Sequence, residues 1–177
     1  MFLTRLMSAG KLREHAANVM TLVNLSFGIT AIILISSGME HLSLFFILAA
    51  ALFDRYDGKV ARMLQIESAI GKELDSLCDI VSFGVAPALL IYHSILYEIR
   101  GAGLIITVLF ILCGAIRLAK FNVSDNHDVF NGIPITAAGV ISVLSYFVIP
   151  YFPGVFFLVL QSALMILMVS HIRIQKM

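Results

Sequence analysis

Charge is scarce in this chain. Lys, Arg, Asp and Glu together supply 13% of its 177 residues, whereas 60% are hydrophobic. That shortage excludes a soluble globular domain, in which roughly 25% of residues are charged. Cysteine is scarce too. Cys78 and Cys113 both lie in apolar stretches, so they read as inert buried thiols rather than a disulfide. Repeats and low-complexity tracts are absent. Residues 1–18 contain no sustained apolar core, so no cleavable signal peptide is expected. The net charge of +1 carries little information, and no nucleic-acid partner is expected.

What the chain does have is apolar runs. Several approach the about 20 residues that a membrane-spanning helix needs. The sequence reads as one domain over 1–177, an all-α polytopic membrane protein with six transmembrane helices. They fall at about 19–37, 43–63, 75–97, 102–121, 133–151 and 153–172. The breaks hold Gly38, Glu40 and His41; Gln65 to Lys72; Glu98 to Gly101; Val123 to Gly132; and Pro150 to Gly154. The last is the weakest, since Pro150 and Pro153 could instead kink a longer hairpin.

Basic residues set the orientation. With six spans, both termini share one side. That side holds Arg5, Lys11, Arg13, Arg55, Lys59, Arg62, Lys72, Arg117, Lys120, Arg173 and Lys176, and the other holds Arg100 alone. The bias places both termini in the cytoplasm, with the protein in the cytoplasmic membrane. Residues 1–18 read as an N-terminal amphipathic interfacial helix. Phe2, Leu3, Leu6 and Met7 would enter lipid while Arg5, Lys11 and Arg13 meet headgroups; a frayed tail is the alternative.

Against this poverty of charge, four aspartates stand out. Asp54 to Asp79 reads D-x-x-D-G-x-x-A-R, eight residues, then G-x-x-x-D-x-x-x-D. Carboxylates at membrane depth persist only when paired, metal-bound or facing a polar cavity. On a helix, Asp54, Asp57, Gly58 and Ala61 share one face, as do Gly71, Asp75 and Asp79. The short connection makes the two helices antiparallel neighbours, so their carboxylates can converge near the cytoplasmic surface. Oxygen ligands select Mg²⁺, Mn²⁺ or Ca²⁺ over Zn²⁺, and no His or Cys completes a zinc set. Two divalent cations bridged by shared aspartates suit an in-line phosphoryl displacement. Gly58 and Ala61 leave that face bare for a nucleotide, Arg62 can clamp a phosphate, and Gly71 opens the facing helix. Taken singly, these small residues read equally well as close helix packing.

The stretch Asp54–Asp79 satisfies, without gap or substitution, the signature of the CDP-alcohol phosphatidyltransferases, and the chain resembles that family over nearly its whole length. ELDSLCDIVSFGVAPAL (Glu73 to Leu89), GAIRLAKFN (Gly114 to Asn122), FNGIPITAAG (Phe130 to Gly139) and Thr21, Asn24 and Gly28 extend the likeness. Within the family it looks like the members that make phosphatidylserine. The resemblance implies transfer of a phosphatidyl group from CDP-diacylglycerol to the hydroxyl of L-serine, with release of CMP. It implies that Asp54, Asp57, Asp75 and Asp79 hold two divalent cations and that Asp79 is also the catalytic base. Asn24, Asp57, Gly58, Ala61, Arg62, Gly71 and Asp75 would line the nucleotide pocket. A homodimer is implied as well, for which Ala49, Ala50 and Ala51 permit close helix contact.

Other residues are less constrained. Arg117 and Lys120 could bind the acceptor carboxylate or lipid phosphate, or could be ordinary membrane anchors. Ser82, Phe83 and Gly84 could shape the acceptor pocket; alternatively Gly84 and Pro87 merely kink the span. Thr136 and Asn131 depart from the family pattern near the acceptor end. His93 and His171 read as interfacial, and His127 has no assigned role. Two rival readings remain. A sibling enzyme would use glycerol 3-phosphate or inositol phosphate, acceptors expected to need a denser basic pocket. A divalent-cation transporter would place its carboxylates at the midplane of paired, broken repeats.

Overall fold

The computed structural model describes residues 2–64, 69–123, 130–170 and 173–174, with side chains over 18–56, 70–123 and 132–170. Helix α1 (Phe2–Ser36) is continuous, so the N-terminal segment joins the first apolar run without a break. Whether that segment is amphipathic lies outside the described residues. Gly38 then takes a left-handed conformation (φ 75°), and the Met39 amide bonds the Leu34 carbonyl at 2.8 Å. This closes the helix end in the usual glycine-terminated way and turns the chain into α2 (Glu40–Leu64), which packs along α1.

The third apolar run is not one regular helix. It comprises α3 (Ala69–Asp79), a π-helical turn over Ile80–Val85 and α4 (Ala86–Ser94). The irregularity expected around Gly84 and Pro87 is therefore a widened turn, starting at the residue after Asp79; Pro87 sits harmlessly in the first turn of α4. A 3₁₀ turn (Leu96–Ile99) leads into α5 (Gly101–Val123). Then follow β1 (Phe130–Asn131), α6 (Ile135–Ser145), a 3₁₀ turn (Tyr146–Tyr151) holding Pro150, α7 (Gly154–Val169) and β2 (Arg173–Ile174). Pro150 and Pro153 thus end one helix and begin the next. The all-α expectation holds, with one short pairing added. β1 and β2 pair antiparallel, Phe130 opposite Ile174 and Asn131 opposite Arg173, tying the segment before α6 to the one after α7.

Three described helices are long and apolar enough to cross a membrane: Asn18–Ser36, Ile70–Ser94 and Gly101–Val123. Ile135–Tyr151 and Gly154–Val169 are apolar but shorter. Helix α2 concentrates Asp54, Arg55, Asp57, Lys59 and Arg62 in its second half.

Phe83, from the π turn, lies fully buried among Ala50, Phe110, Ile135, Ala138 and Leu164. A second cluster joins Ala31, Ile47, Ala86, Leu90 and Val143. Conversely, Ile33, Phe45, Ile105 and Val159 are more than half exposed, an outward apolar surface that suits lipid. Cys78 is buried and Cys113 half-buried, and the two do not form a disulfide.

Two polar knots interrupt the apolar bundle. At the Glu40 end of α2, the Ser94 hydroxyl donates to the Glu40 carboxylate at 2.8 Å, and Tyr146 bonds the same group. Between α6 and α7, Gln161 Nε2 donates to Ser142 Oγ at 2.7 Å, while the buried Gln161 Oε1 has no partner. Interhelical hydrogen bonds in membranes average about 0.6 kcal/mol, and the unpartnered carbonyl offsets that gain. Gln161→Met is accordingly expected to change stability by less than about 1 kcal/mol, read as the thermal midpoint in detergent.

Candidate functional site

The aspartate-bearing faces of α2 and α3 meet. Asp54, Asp75 and Asp79 each place one carboxylate oxygen within 4.8 Å of the others. All three are half-buried, Asp54 and Asp79 are in hydrogen-bond contact, and Asp75 is the charge acting on Asp54. The local sequence explains the convergence. Asp75 and Asp79 are one turn apart on α3, and the connection from α2 to α3 spans only 65–68. Three carboxylates so close repel strongly unless a proton or cation compensates. The donor set fits a divalent cation: hard oxygens, clustered, at the end of an apolar bundle.

Asp57 follows Asp54 by three residues on α2 and so shares its face. The side chains of Asp57, Gly58, Ala61 and Arg62 lie outside the described residues; their backbone is helical. Gly71 is in the first turn of α3, one turn before Asp75.

Helix α5 closes another side. Arg117 is half-buried and feels the charge of Asp79, and its Nε is buried without a partner. Lys120 is exposed on the last turn of α5. Arg117 and Lys120 therefore part company: one faces the carboxylates, the other solvent or headgroups.

From α1 comes Asn24, fully buried, with neither Oδ1 nor Nδ2 hydrogen-bonded. A buried amide with both polar ends unmet costs several kcal/mol, on the order of 1–3 per group, and is a place where a ligand or water belongs. Ser82, also fully buried, donates to the Asn24 backbone carbonyl at 3.3 Å. The residues expected in the nucleotide pocket and the acceptor pocket thus adjoin across the first turn after Asp79. Thr21 is buried one turn before Asn24.

Sequence reasoning missed Asn122. It bonds Ser76 at 3.0 Å and so links α5 to α3 directly beside Asp75. Its position at the end of an otherwise apolar helix was the available signal. His93 is exposed, with its ring against Tyr92. His127 and His171 lie outside the described residues.

The model of the CDP-alcohol phosphatidyltransferase family matches residues 14–172. The chain belongs to this family. It is 40% identical over 130 residues to the CDP-diacylglycerol–serine O-phosphatidyltransferase of Helicobacter pylori strain J99, covering 72% of this chain and 55% of that protein. The chain thus spans about half the length of that relative. It is 35% identical over 166 residues to the archaetidylserine synthase of Methanothermobacter thermautotrophicus, covering 90% of this chain and 70% of that one. With the Bacillus subtilis CDP-diacylglycerol–serine O-phosphatidyltransferase it shares 36% identity over 130 residues, 73% of each. Its apolar spans mark this family member as a helical membrane protein, and its aspartate cluster can hold a metal ion.

Proposed function

We propose that the protein is a phosphatidylserine synthase, transferring the phosphatidyl group of CDP-diacylglycerol to L-serine. The observation that carries this reading is the convergence of Asp54, Asp75 and Asp79 beside Arg117, in a chain whose relatives are named for serine transfer. It works as one membrane domain of six spans, with α2, α6 and α7 completing the three longer helices. Its termini and active site face the cytoplasm of the cytoplasmic membrane, as the distribution of basic residues supports. It functions as a homodimer within the lipid bilayer.

Asp54, Asp57, Asp75 and Asp79 hold two divalent cations, Mg²⁺ or Mn²⁺. When bound, these supply neutralisation of the pyrophosphate charge and of the departing CMP. Asn24 offers its unmet amide to the nucleotide, and Gly58, Ala61 and Gly71 leave room for it along two helix faces. Arg62 pairs with a phosphate. Serine's Oγ attacks the lipid-bearing phosphorus, its proton passes to Asp79, and the bond to the CMP oxygen breaks. Arg117, with an uncommitted donor beside Asp79, binds the acceptor carboxylate or the lipid phosphate. Ser82 shapes the acceptor end. Lys120, exposed on the rim, contributes attraction for anionic headgroups.

The test is CMP release by the purified protein in detergent with Mn²⁺ or Mg²⁺. L-Serine, glycerol 3-phosphate and inositol phosphate are compared as acceptors. Serine alone is expected to support release. Turnover with a phosphorylated acceptor instead would keep the family and discard serine.

A further inference from the structure

Three carboxylates from two helices meet only if each helix has the right rotation about its own axis. A carboxylate lies about 6 Å from the axis, so a 20° rotation moves it about 2 Å, enough to spoil a metal site. Two of the converging aspartates are on α3, an 11-residue stretch set off from the rest of its span by the π turn that begins at Ile80, where the helical register changes. Something must hold its rotation.

Helix α5 supplies polar neighbours along α3. Near the end of α3, Arg117 acts on Asp79. Near its start stands Asn122, one residue from the end of α5. Its Nδ2 donates to Ser76 Oγ at 3.0 Å, and Ser76 Oγ lies 3.3 Å from Asn122 Oδ1. The Glu73 carboxylate is 3.5 Å from the same Nδ2. Lys72 Nζ reaches the Asn122 carbonyl at 3.4 Å and lies 5.8 Å from the centre of the Phe121 ring. On α3, Ser76 lies about 100° round from Asp75 and about 60° from Asp79. The clasp therefore grips α3 by the face next to its ligands.

We propose that Asn122 is a positioning residue. By fixing the rotation of α3 through Ser76 and Glu73, it sets the divalent-metal affinity of the aspartate cluster. This rests on the reading of the aspartates as metal ligands. Removing hydrogen-bonded supports one step beyond a metal's ligands typically costs about 10-fold to 100-fold in affinity.

The experiment measures Mn²⁺ binding to the full chain in detergent by the electron paramagnetic resonance signal of free Mn²⁺, alongside CMP release. Asn122→Ala is expected to weaken Mn²⁺ binding about 10-fold or more and to raise the half-saturating Mn²⁺ for turnover by the same factor. Turnover at saturating Mn²⁺ is expected to stay within about threefold. Ser76→Ala should shift binding in the same direction, and the double variant should add little to Asn122→Ala. Ser76→Ala removes one oxygen only, so it carries the test if Asn122→Ala does not fold. A folded variant with a lowered melting point but unchanged Mn²⁺ affinity would show a merely structural contact and overturn the proposal. Absence of Mn²⁺ binding in the unaltered chain overturns both this proposal and the metal reading; equal binding by unaltered and variant chains overturns this one alone.

Discussion

Asp79→Asn is expected to lower serine-dependent CMP release by at least about 10³-fold, equivalent to about 4 kcal/mol of activation barrier. On the proposed mechanism two losses combine. The variant lacks the base that would take the acceptor's proton, a role that typically contributes about 10²–10⁴-fold. It also lacks one anionic oxygen where Asp54, Asp75 and Asp79 come within 4.8 Å. Asparagine matches aspartate in shape, so the packing around α3 should survive. In the absence of metal the variant should melt at the same temperature or higher, because one of three crowded carboxylates is gone. That combination separates chemistry from folding. Asp54→Asn and Asp75→Asn lose a ligand but not the base, so part of their activity should return at high Mn²⁺, whereas that of Asp79→Asn should not. Activity of Asp79→Asn within tenfold of the unaltered chain would remove it from the chemistry and leave the base to be found elsewhere.

The aspartates were legible because two regularities coincide. Helical spacing puts Asp75 and Asp79 one turn apart, and a short connection brings the next helix alongside; no tertiary knowledge is needed. The long apolar runs were legible for the same reason, since spans are set by bilayer thickness. The π turn over Ile80–Val85 was not. It adds one residue to a turn within a stretch whose single polar side chain is Ser82, too little contrast for a change of period to register. The β1–β2 pair is two residues long, too short for alternation to register. Asn122 was passed over because its partners lie 46 and 49 positions away, and a place at a helix end does not by itself say what it meets. Arg117 and Lys120 looked alike as basic residues three apart on one side of a helix, yet Arg117 sits nearly a turn deeper, beside Asp79, while Lys120 is exposed on the last turn of α5.

The second large effect concerns the π turn itself. Such turns are seldom stable unless their surroundings hold them, and here glycines on two helices press against its backbone. A Cβ on Gly139 of α6 would lie 2.5 Å from the Phe83 carbonyl oxygen and 3.0 Å from the Phe83 Cα. A Cβ on Gly28 of α1 would meet Ser82 Oγ, with the Ser82 Cα at 2.9 Å. Both obstacles include main chain, which cannot swing aside as a side-chain tip does. Gly139→Ala is therefore expected to cost about 2–3 kcal/mol through overpacking, lowering the melting midpoint in detergent by about 5 °C or more. The gain in helix propensity from glycine to alanine, about 1 kcal/mol, works in the opposite direction and is too small to cancel it. Gly28→Ala should cost a similar amount. Combined, the two should destabilise by less than the sum of the single changes, since either one displaces the same turn. Ser82 lies in that turn and bonds the Asn24 carbonyl, so serine's KM should rise in whichever variant folds, with the Mn²⁺ requirement little changed. A rise in melting point in Gly139→Ala would mean that the turn shifts freely, and the close approach of α6 would then have no part in holding it.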